Sequence, residues 1–482
     1  MKIPKEELTS VLAQFNPWWR EEKIFDLPPW KRAVFTEIEQ WVIDPPAHRA
    51  VMLSGPRQVG KTTLVLQMIE TLLSQGVKPG KILYVTFDHP LFKLAGLEAV
   101  LEVWGEMEPT SEGTEYLFLD EAQFLRDFGT WVKHQIDFSK KRRILFTGSA
   151  TPLINSGEES GVGRWHTIKI STLSFYEYLQ IKQIHIPNIP KIEFLPDINN
   201  SSISELQRMT EATQALIGHF HEYLVRGGFP QTSLVENVLQ AQKLLREDII
   251  DKVLKRDMTA LFGVRRVLEL EQTFIYLCMH NGGIQDIASL CNNLNVPKPT
   301  VQNFLNLLET THLISRLAQY GNGKEILRAR YKFYLSDPAI VSAILLKGKT
   351  LLEDPAALGI AVETTILSHL SAHSFPEGTR FSYWKDSKNK EQDLVIESCG
   401  ELFALEVKYR SQKTTLDEVS ALERFCDQKN LSIGYVITKN SSDIGNIPNT
   451  RGNAKILRIP AALFCYWIGE SEILQKNLLR AS

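Results

Sequence analysis

From about residue 47 to 170, short apolar runs alternate with longer stretches of helical periodicity. The runs Val51–Ser54, Ile82–Val85, Tyr116–Leu119, Arg143–Thr147 and Thr167–Ile170 are short and largely apolar, which predicts buried strands. Thr63–Leu73 carries the spacing of a helix. Alternation of strand and helix predicts a parallel sheet covered on both faces, with its ligand at the carboxyl ends of the strands.

The pattern changes elsewhere. Residues 1–46 form an N-terminal helical segment with two aromatic-proline stretches, Asn16-Pro17-Trp18-Trp19 and Leu27-Pro28-Pro29-Trp30. A helix over Lys31–Ile43 follows, stopped by Asp44-Pro45-Pro46. This segment either covers a bound base or packs on the next domain. Residues 171–260 are helical apart from the polar stretch 187–202. Val238, Ala241, Leu245, Ile249 and Val253 predict one long helix over Glu236–Met258, just after the break at Gly227-Gly228-Phe229-Pro230. Residues 261–350 read as a winged helix: a short helix at Ile284–Leu290, a turn at Asn292–Asn295, a second helix at Lys298–Leu308, and wing strands at Leu313–Leu317 and Tyr331–Leu335. Residues 351–482 are mixed. Helices are predicted at Gly359–Ala372 and Thr415–Gln428, and strands at Phe381–Trp384, Leu394–Glu397, Phe403–Lys408 and Ile433–Ile437.

Bulk properties narrow the class. The chain has 482 residues, enough for several domains, and its 43% apolar and 23% charged residues are ordinary for a globular protein. A net charge of −2 argues against a uniformly basic nucleic-acid binder and leaves local patches open. Five scattered cysteines form no C-x-x-C pair, so reduced thiols in a cytoplasmic protein are expected. The first residues lack an apolar leader core, and no apolar run is long enough to span a bilayer, so no membrane partner is expected.

The candidate chemistry begins at Gly55-Pro56-Arg57-Gln58-Val59-Gly60-Lys61-Thr62, a complete G-x-x-x-x-G-K-[ST] phosphate-binding loop between a strand and a helix. Its backbone N–H groups would cradle the phosphates of ATP, with Thr63 closing the loop. Lys61 would reach the terminal phosphates, and the Thr62 hydroxyl would sit on Mg2+. Tyr116–Leu119 ends in Asp120 and Glu121. One acid would hold the metal and the other would polarise the attacking water. The extra strand Ile82–Val85 between loop and acids points to an ATPase rather than a small GTPase. Ser149, in Thr147-Gly148-Ser149, is the candidate sensor of the terminal phosphate. Arg164 is either an arginine finger, acting within the subunit or across to a neighbour, or a surface ion pair. A finger of the second kind would imply a homo-oligomer.

These residues, with Leu119-Asp120-Glu121-Ala122-Gln123, Leu173-Ser174-Phe175-Tyr176-Glu177 and Gly227-Gly228-Phe229-Pro230, resemble the prokaryotic AAA-type ATPases that carry a C-terminal nuclease-like domain. The resemblance covers nearly the whole chain. It implies an α/β protein with a P-loop ATPase core at 47–170, a helical region at 171–260, a winged helix at 261–350 and a restriction-endonuclease-like domain at 351–482.

In that last block, strand alternation places Glu406 and Lys408 on one face, where Asp393 on the neighbouring strand would join them. Two acids would bind Mg2+, the lysine would offset charge at the attacked phosphate, and Glu363 is a fourth candidate. The set resembles the PD-(D/E)XK nuclease signature, with Gln392 in place of its proline.

In the predicted wing, Arg316, Lys324, Arg328, Arg330 and Lys332 face one acid, Glu325. Thr300, Gln302 and Asn303 on the second helix are candidates for a DNA groove. Two functions follow. One is an ATPase that couples turnover to DNA binding or processing. The other is a nucleotide-controlled regulatory or defence switch whose C-terminal domain binds a partner without cutting.

Overall fold

The five apolar runs become five strands: β1 (Ala50–Ser54), β2 (Ile82–Thr86), β3 (Glu115–Asp120), β4 (Arg142–Gly148) and β5 (Trp165–Lys169). All neighbours in the sheet are parallel, and the order is β2-β3-β4-β1-β5. The computed structural model describes residues 3–20, 22, 27–107, 113–148, 163–321, 330–376, 378–386, 390–448 and 452–474. The chain divides into two units, one of residues 1–171 and 257–264, the other of residues 172–256 and 265–482.

The first unit is built on this sheet. Parallel strands need crossovers, and helices Lys61–Ser74, Pro90–Met107 and Phe128–Phe138 supply them. Met52, Leu83, Val85, Leu117, Leu119 and Phe146 are buried in its core, as strands covered on both faces require. Because β4 lies between β1 and β3, the loops leaving those three strands share one edge. The outer strand β2 does not stay open. The Asn16 side chain acts as a surrogate strand: its Nδ2 donates to Tyr84 O at 2.9 Å and its Oδ1 accepts from Tyr84 N at 2.7 Å. Trp19 Nε1 donates to Ile82 O at 2.9 Å. The predicted helix over Lys31–Ile43 is shorter, Phe35–Ile43. Arg32 just before it is buried and donates to the loop carbonyl of Val59 at 3.1 Å.

The second unit begins with helices Phe175–Ile181 and Ile203–Arg226. Ser174 and Ser202 start them with reciprocal capping boxes to Glu177 and Glu205. The expected long helix is one continuous helical run in three parts: Val238–Glu247, a π-helical stretch Asp248–Asp257, and Met258–Phe262.

Next come helix Val267–Met279, strand β6 (Ile284–Asp286), helices Ile287–Leu294 and Lys298–Thr310, and the hairpin β7 (Ile314–Gln319) and β8 (Arg330–Leu335). Helix Pro355–His373 precedes β9 (Arg380–Lys385), β10 (Glu391–Ser398) and β11 (Glu401–Lys408). Helix Ser420–Lys429 leads to β12 (Ile433–Thr438), β13 (Gly445–Ile447), β14 (Lys455–Pro460) and a closing helix Ala461–Ile473. One sheet holds all nine strands, in the order β13-β14-β12-β11-β10-β9-β7-β8-β6. The hairpin joins it through parallel pairing of Ala318 with Ser382 and Gln319 with Tyr383. A single sheet therefore runs through both of the segments that the sequence pattern separates near residue 350.

The Gly-Gly-Phe-Pro break has a packing cause. Gly228 O accepts from Leu173 N at 2.6 Å, and Gly228 N donates to Asp337 Oδ2 at 2.7 Å. A Cβ on Gly228 would lie 2.5 Å from Leu173 O. Gly228→Ala is expected to destabilise the second unit by about 3 kcal/mol in denaturant unfolding. Gly218→Ala, inside a helix where a Cβ meets nothing within 4 Å, should be neutral or stabilising.

Candidate functional site

The phosphate loop leaves β1 and closes at Gly60, whose φ of 90° is the left-handed conformation that glycine adopts without strain. Helix Lys61–Ser74 starts there, so its unpaired N–H groups face the loop. Lys61 is buried, and its Nζ donates to the carbonyls of Gly55 at 2.9 Å and Pro56 at 2.7 Å. The Thr62 hydroxyl donates to Asp120 Oδ2 at 2.8 Å. Asp120 also accepts from Tyr84 OH at 3.1 Å and, on Oδ1, from Thr147 Oγ1 at 2.5 Å. Thr147 in turn accepts from Glu121 N at 2.9 Å. Glu121 has left-handed φ of 54°, and its carboxylate accepts from Gln123 Nε2.

The electrostatics suit a phosphate site. Burial lowers the Lys61 ammonium below its ordinary value, while Glu121 and Asp120 pull the other way. Burial raises the Glu121 carboxyl, opposed by Lys61. That is the direction a water-activating acid needs near neutrality. Arg57 of the loop pairs with Asp257 at 2.5 Å, both nearly buried. A phosphate and Mg2+ fit the donor set: loop N–H groups and Lys61 for the anion, Thr62 and Asp120 for the metal.

The second cluster lies in the nine-stranded sheet. Asp393, Glu406, Lys408 and Glu363 do converge. Lys408 Nζ donates to Glu406 Oε1, and Asp393 N donates to Glu406 Oε2 at 3.2 Å. Asp393 Oδ2 accepts from Val407 N at 3.0 Å. Lys332 on β8, which is 2% exposed, donates to Asp393 Oδ1 at 3.0 Å and also pairs with Glu391 at 2.8 Å and Glu363 at 3.5 Å. Tyr334 OH donates to Glu363 at 2.9 Å. Burial, reinforced by Asp393, raises Glu406 and Glu363. Burial also pushes Asp393 up, but Lys332 and Lys408 hold it below the usual carboxylate range.

Residues 47–179 match the family described as an AAA domain. This segment is an AAA-type P-loop ATPase domain. Residues 217–351 and 358–460 match two domains of unknown function, DUF8612 and DUF4143. An uncharacterized protein of Haemophilus influenzae is 26% identical over 59% of this chain and 66% of its own length, just under two thirds. An uncharacterized protein of Methanocaldococcus jannaschii is 23% identical over 88% of this chain and 87% of its own length. Among solved structures, Cdc6p from Pyrobaculum aerophilum is 13% identical with a TM-score of 0.27, covering 67% of this chain and 97% of that one.

The AAA domain gathers Gly55 to Thr63, Asp120 and Glu121 at one edge of its sheet. It does not bring Arg164 there. Arg164 O accepts from Ala50 N, at the amino end of β1, and its side chain pairs with Asp137 at 3.4 Å. The loop leaves the other end of β1, a strand length of about 16 Å away. That separation favours the ion-pair alternative for Arg164 over a finger acting within the subunit. Ser149 lies outside the described residues. Thr147, Asp257 and Arg32 are site residues that motif reading passes over. Only Thr147 carried a signal, as a hydroxyl at a strand end.

Glu363, Asp393 and Glu406 of the expected metal-ligating set lie together, with Lys332, Lys408 and backbone N–H groups bonded to Asp393 and Glu406. Among the described residues no group of three or more acids, histidines or cysteines stands in metal-binding geometry. The basic hairpin is also reduced. Arg316 pairs with Glu309 at 2.5 Å, and Lys332 is buried. Lys324, Glu325 and Arg328 lie outside the described residues, while Arg330 is exposed. Gln302 and Asn303 are exposed on helix Lys298–Thr310, and Thr300 is half-buried.

The Thr147 hydroxyl joins the Asp120 carboxylate to the backbone N–H of Glu121. Thr147→Val is expected to lower the kcat of ATP hydrolysis about tenfold with nucleotide affinity within about twofold, measured by steady-state turnover and equilibrium binding.

Proposed function

We propose that this chain hydrolyses ATP with Mg2+ at the loop of residues 55–62 and couples turnover to DNA binding by its second unit. The observation that carries the first half is the 2.8 Å contact of Thr62, next in sequence to buried Lys61, with Asp120, next in sequence to half-buried Glu121. Thr62 and Asp120 are the two groups that would hold magnesium here. Lys61 exchanges the carbonyls of Gly55 and Pro56 for phosphate oxygens. Glu121, steered by Gln123 and tied through its own N–H to Thr147, orients the water in line with the outermost phosphorus. Bound magnesium supplies charge neutralisation across the terminal phosphates.

The DNA half rests on the order of elements. Helix, strand, two helices and a hairpin, with Gln302 and Asn303 exposed on the second helix of the pair, support a winged-helix reading. Likewise, a helix, three antiparallel strands, a helix and a parallel strand support a nuclease-like reading of the C-terminal block. The filled carboxylates around Lys332 favour the second reading of that block, a nucleotide-controlled switch that binds without cutting.

ATP turnover should fall below detection in Lys61→Ala. Glu121→Gln should still bind ATP while turning over about 100-fold more slowly. Duplex DNA should stimulate wild-type turnover severalfold, an effect lost in Gln302→Ala/Asn303→Ala. Turnover indifferent to DNA would leave the switch as the function.

A further inference from the structure

A nuclease-type carboxylate cluster works by sharing oxygens with a divalent cation, which needs carboxylate lone pairs free at about 2.0–2.6 Å from a common centre. The second unit has the acids and fills that centre itself. Lys332 enters from β8, while the acids come from helix Pro355–His373 (Glu363) and strand β10 (Glu391 and Asp393). Its Nζ lies 2.8 Å from Glu391, 3.0 Å from Asp393 and 3.5 Å from Glu363. An ammonium has three N–H donors and no other use for them at a buried position. Asp393, Glu406 and Glu363 have further partners as well. Val407 N bonds Asp393 Oδ2, Asp393 N and Lys408 bond the two oxygens of Glu406, and Tyr334 bonds Glu363.

The lysine is also anchored. Its strand is interior to the sheet, with Lys332 opposite Ile284 on β6 and Leu317 on β7. Displacing the backbone that carries it would break ladders on both sides. Removing the ammonium without replacement would leave buried carboxylates uncompensated, which is strongly unfavourable.

We propose that the Lys332 ammonium permanently takes the place of a divalent metal, making the carboxylate cluster of the second unit a lysine-locked, metal-free site. This rests on the nuclease-like reading of the C-terminal block. The locked cluster ties the hairpin to the sheet that carries the acids, and it removes metal-dependent phosphodiester cleavage from what this unit does.

The test is a Mn2+ titration of the nucleotide-free full chain, followed by electron paramagnetic resonance. Wild type and Asp393→Asn should give the same curve, since the locked cluster takes no metal. Lys332→Met keeps the length of the side chain and removes its charge. It should gain a Mn2+ site at least tenfold tighter than any Asp393-dependent binding in wild type, and the double variant Lys332→Met/Asp393→Asn should lose it. Asp393-dependent Mn2+ binding in wild type would overturn the proposal and leave the nuclease-like reading standing. A folded Lys332→Met that gains no site would overturn the proposal together with that reading. Should Lys332→Met fail to fold, the comparison of wild type with Asp393→Asn decides the matter.

Discussion

The carboxylate of Asp120 is the point at which three other elements of the first unit meet. It ends a buried strand, where an unpaired charge would be costly, and it is satisfied by hydroxyls from three other elements: Thr62, Tyr84 and Thr147. Those bonds hold the start of the loop helix, the edge strand β2 and the end of β4 to one acid. Hydroxyls are the right partners for such a place. They give up a carboxylate oxygen to a metal-bound water more readily than an ammonium would, and Thr62 itself has lone pairs to offer the metal. The same arrangement that satisfies the buried acid therefore keeps it available.

The second cluster solves the same problem in the opposite way. Asp393 and Glu406 are also strand carboxylates drawn out of water, but their partners are two lysines and backbone N–H groups. A charge-assisted bond to an ammonium at an interior strand position is strong and fixed. Two acids with nearby lysine look equivalent in sequence, yet one set is poised to take a cation and the other already holds one. The difference lies in which neighbours supply the donors, and those neighbours come from distant parts of the chain.

That is also where legibility in the sequence stops. The five parallel strands were readable because strands buried on both faces must be short and apolar, and the loop was readable because its glycines and lysine are local. Asp120 and Glu121 followed from their position at a strand end. Arg164 was left between two roles because motif spacing does not say which end of a strand a residue occupies. Lys332 read as a basic surface residue because the parallel pairing of β7 with β9, which seats the hairpin beside the acids, is a long-range contact with no local pattern. Strand β14 and the helix Ala461–Ile473 went unpredicted for a related reason: the helix is buried nearly all round and shows no amphipathic period.

The Arg57–Asp257 pair gives the loop a connection that its motif does not announce. The chain passes from the second unit back to the first between residues 256 and 257, and the first residue after that passage is the one bonded to Arg57. Arg57 carries its charge next to the phosphate loop, where burial is offset by Asp257 and then by Glu121. A triphosphate in the loop would add negative charge beside that guanidinium and would compete with Asp257 for it. The π-helical stretch Asp248–Asp257 ends at that aspartate, and π-helical turns are poorer in hydrogen-bond geometry than α-helical ones. The segment that would feel a change in the Arg57 pairing is thus the least regular part of the helical run.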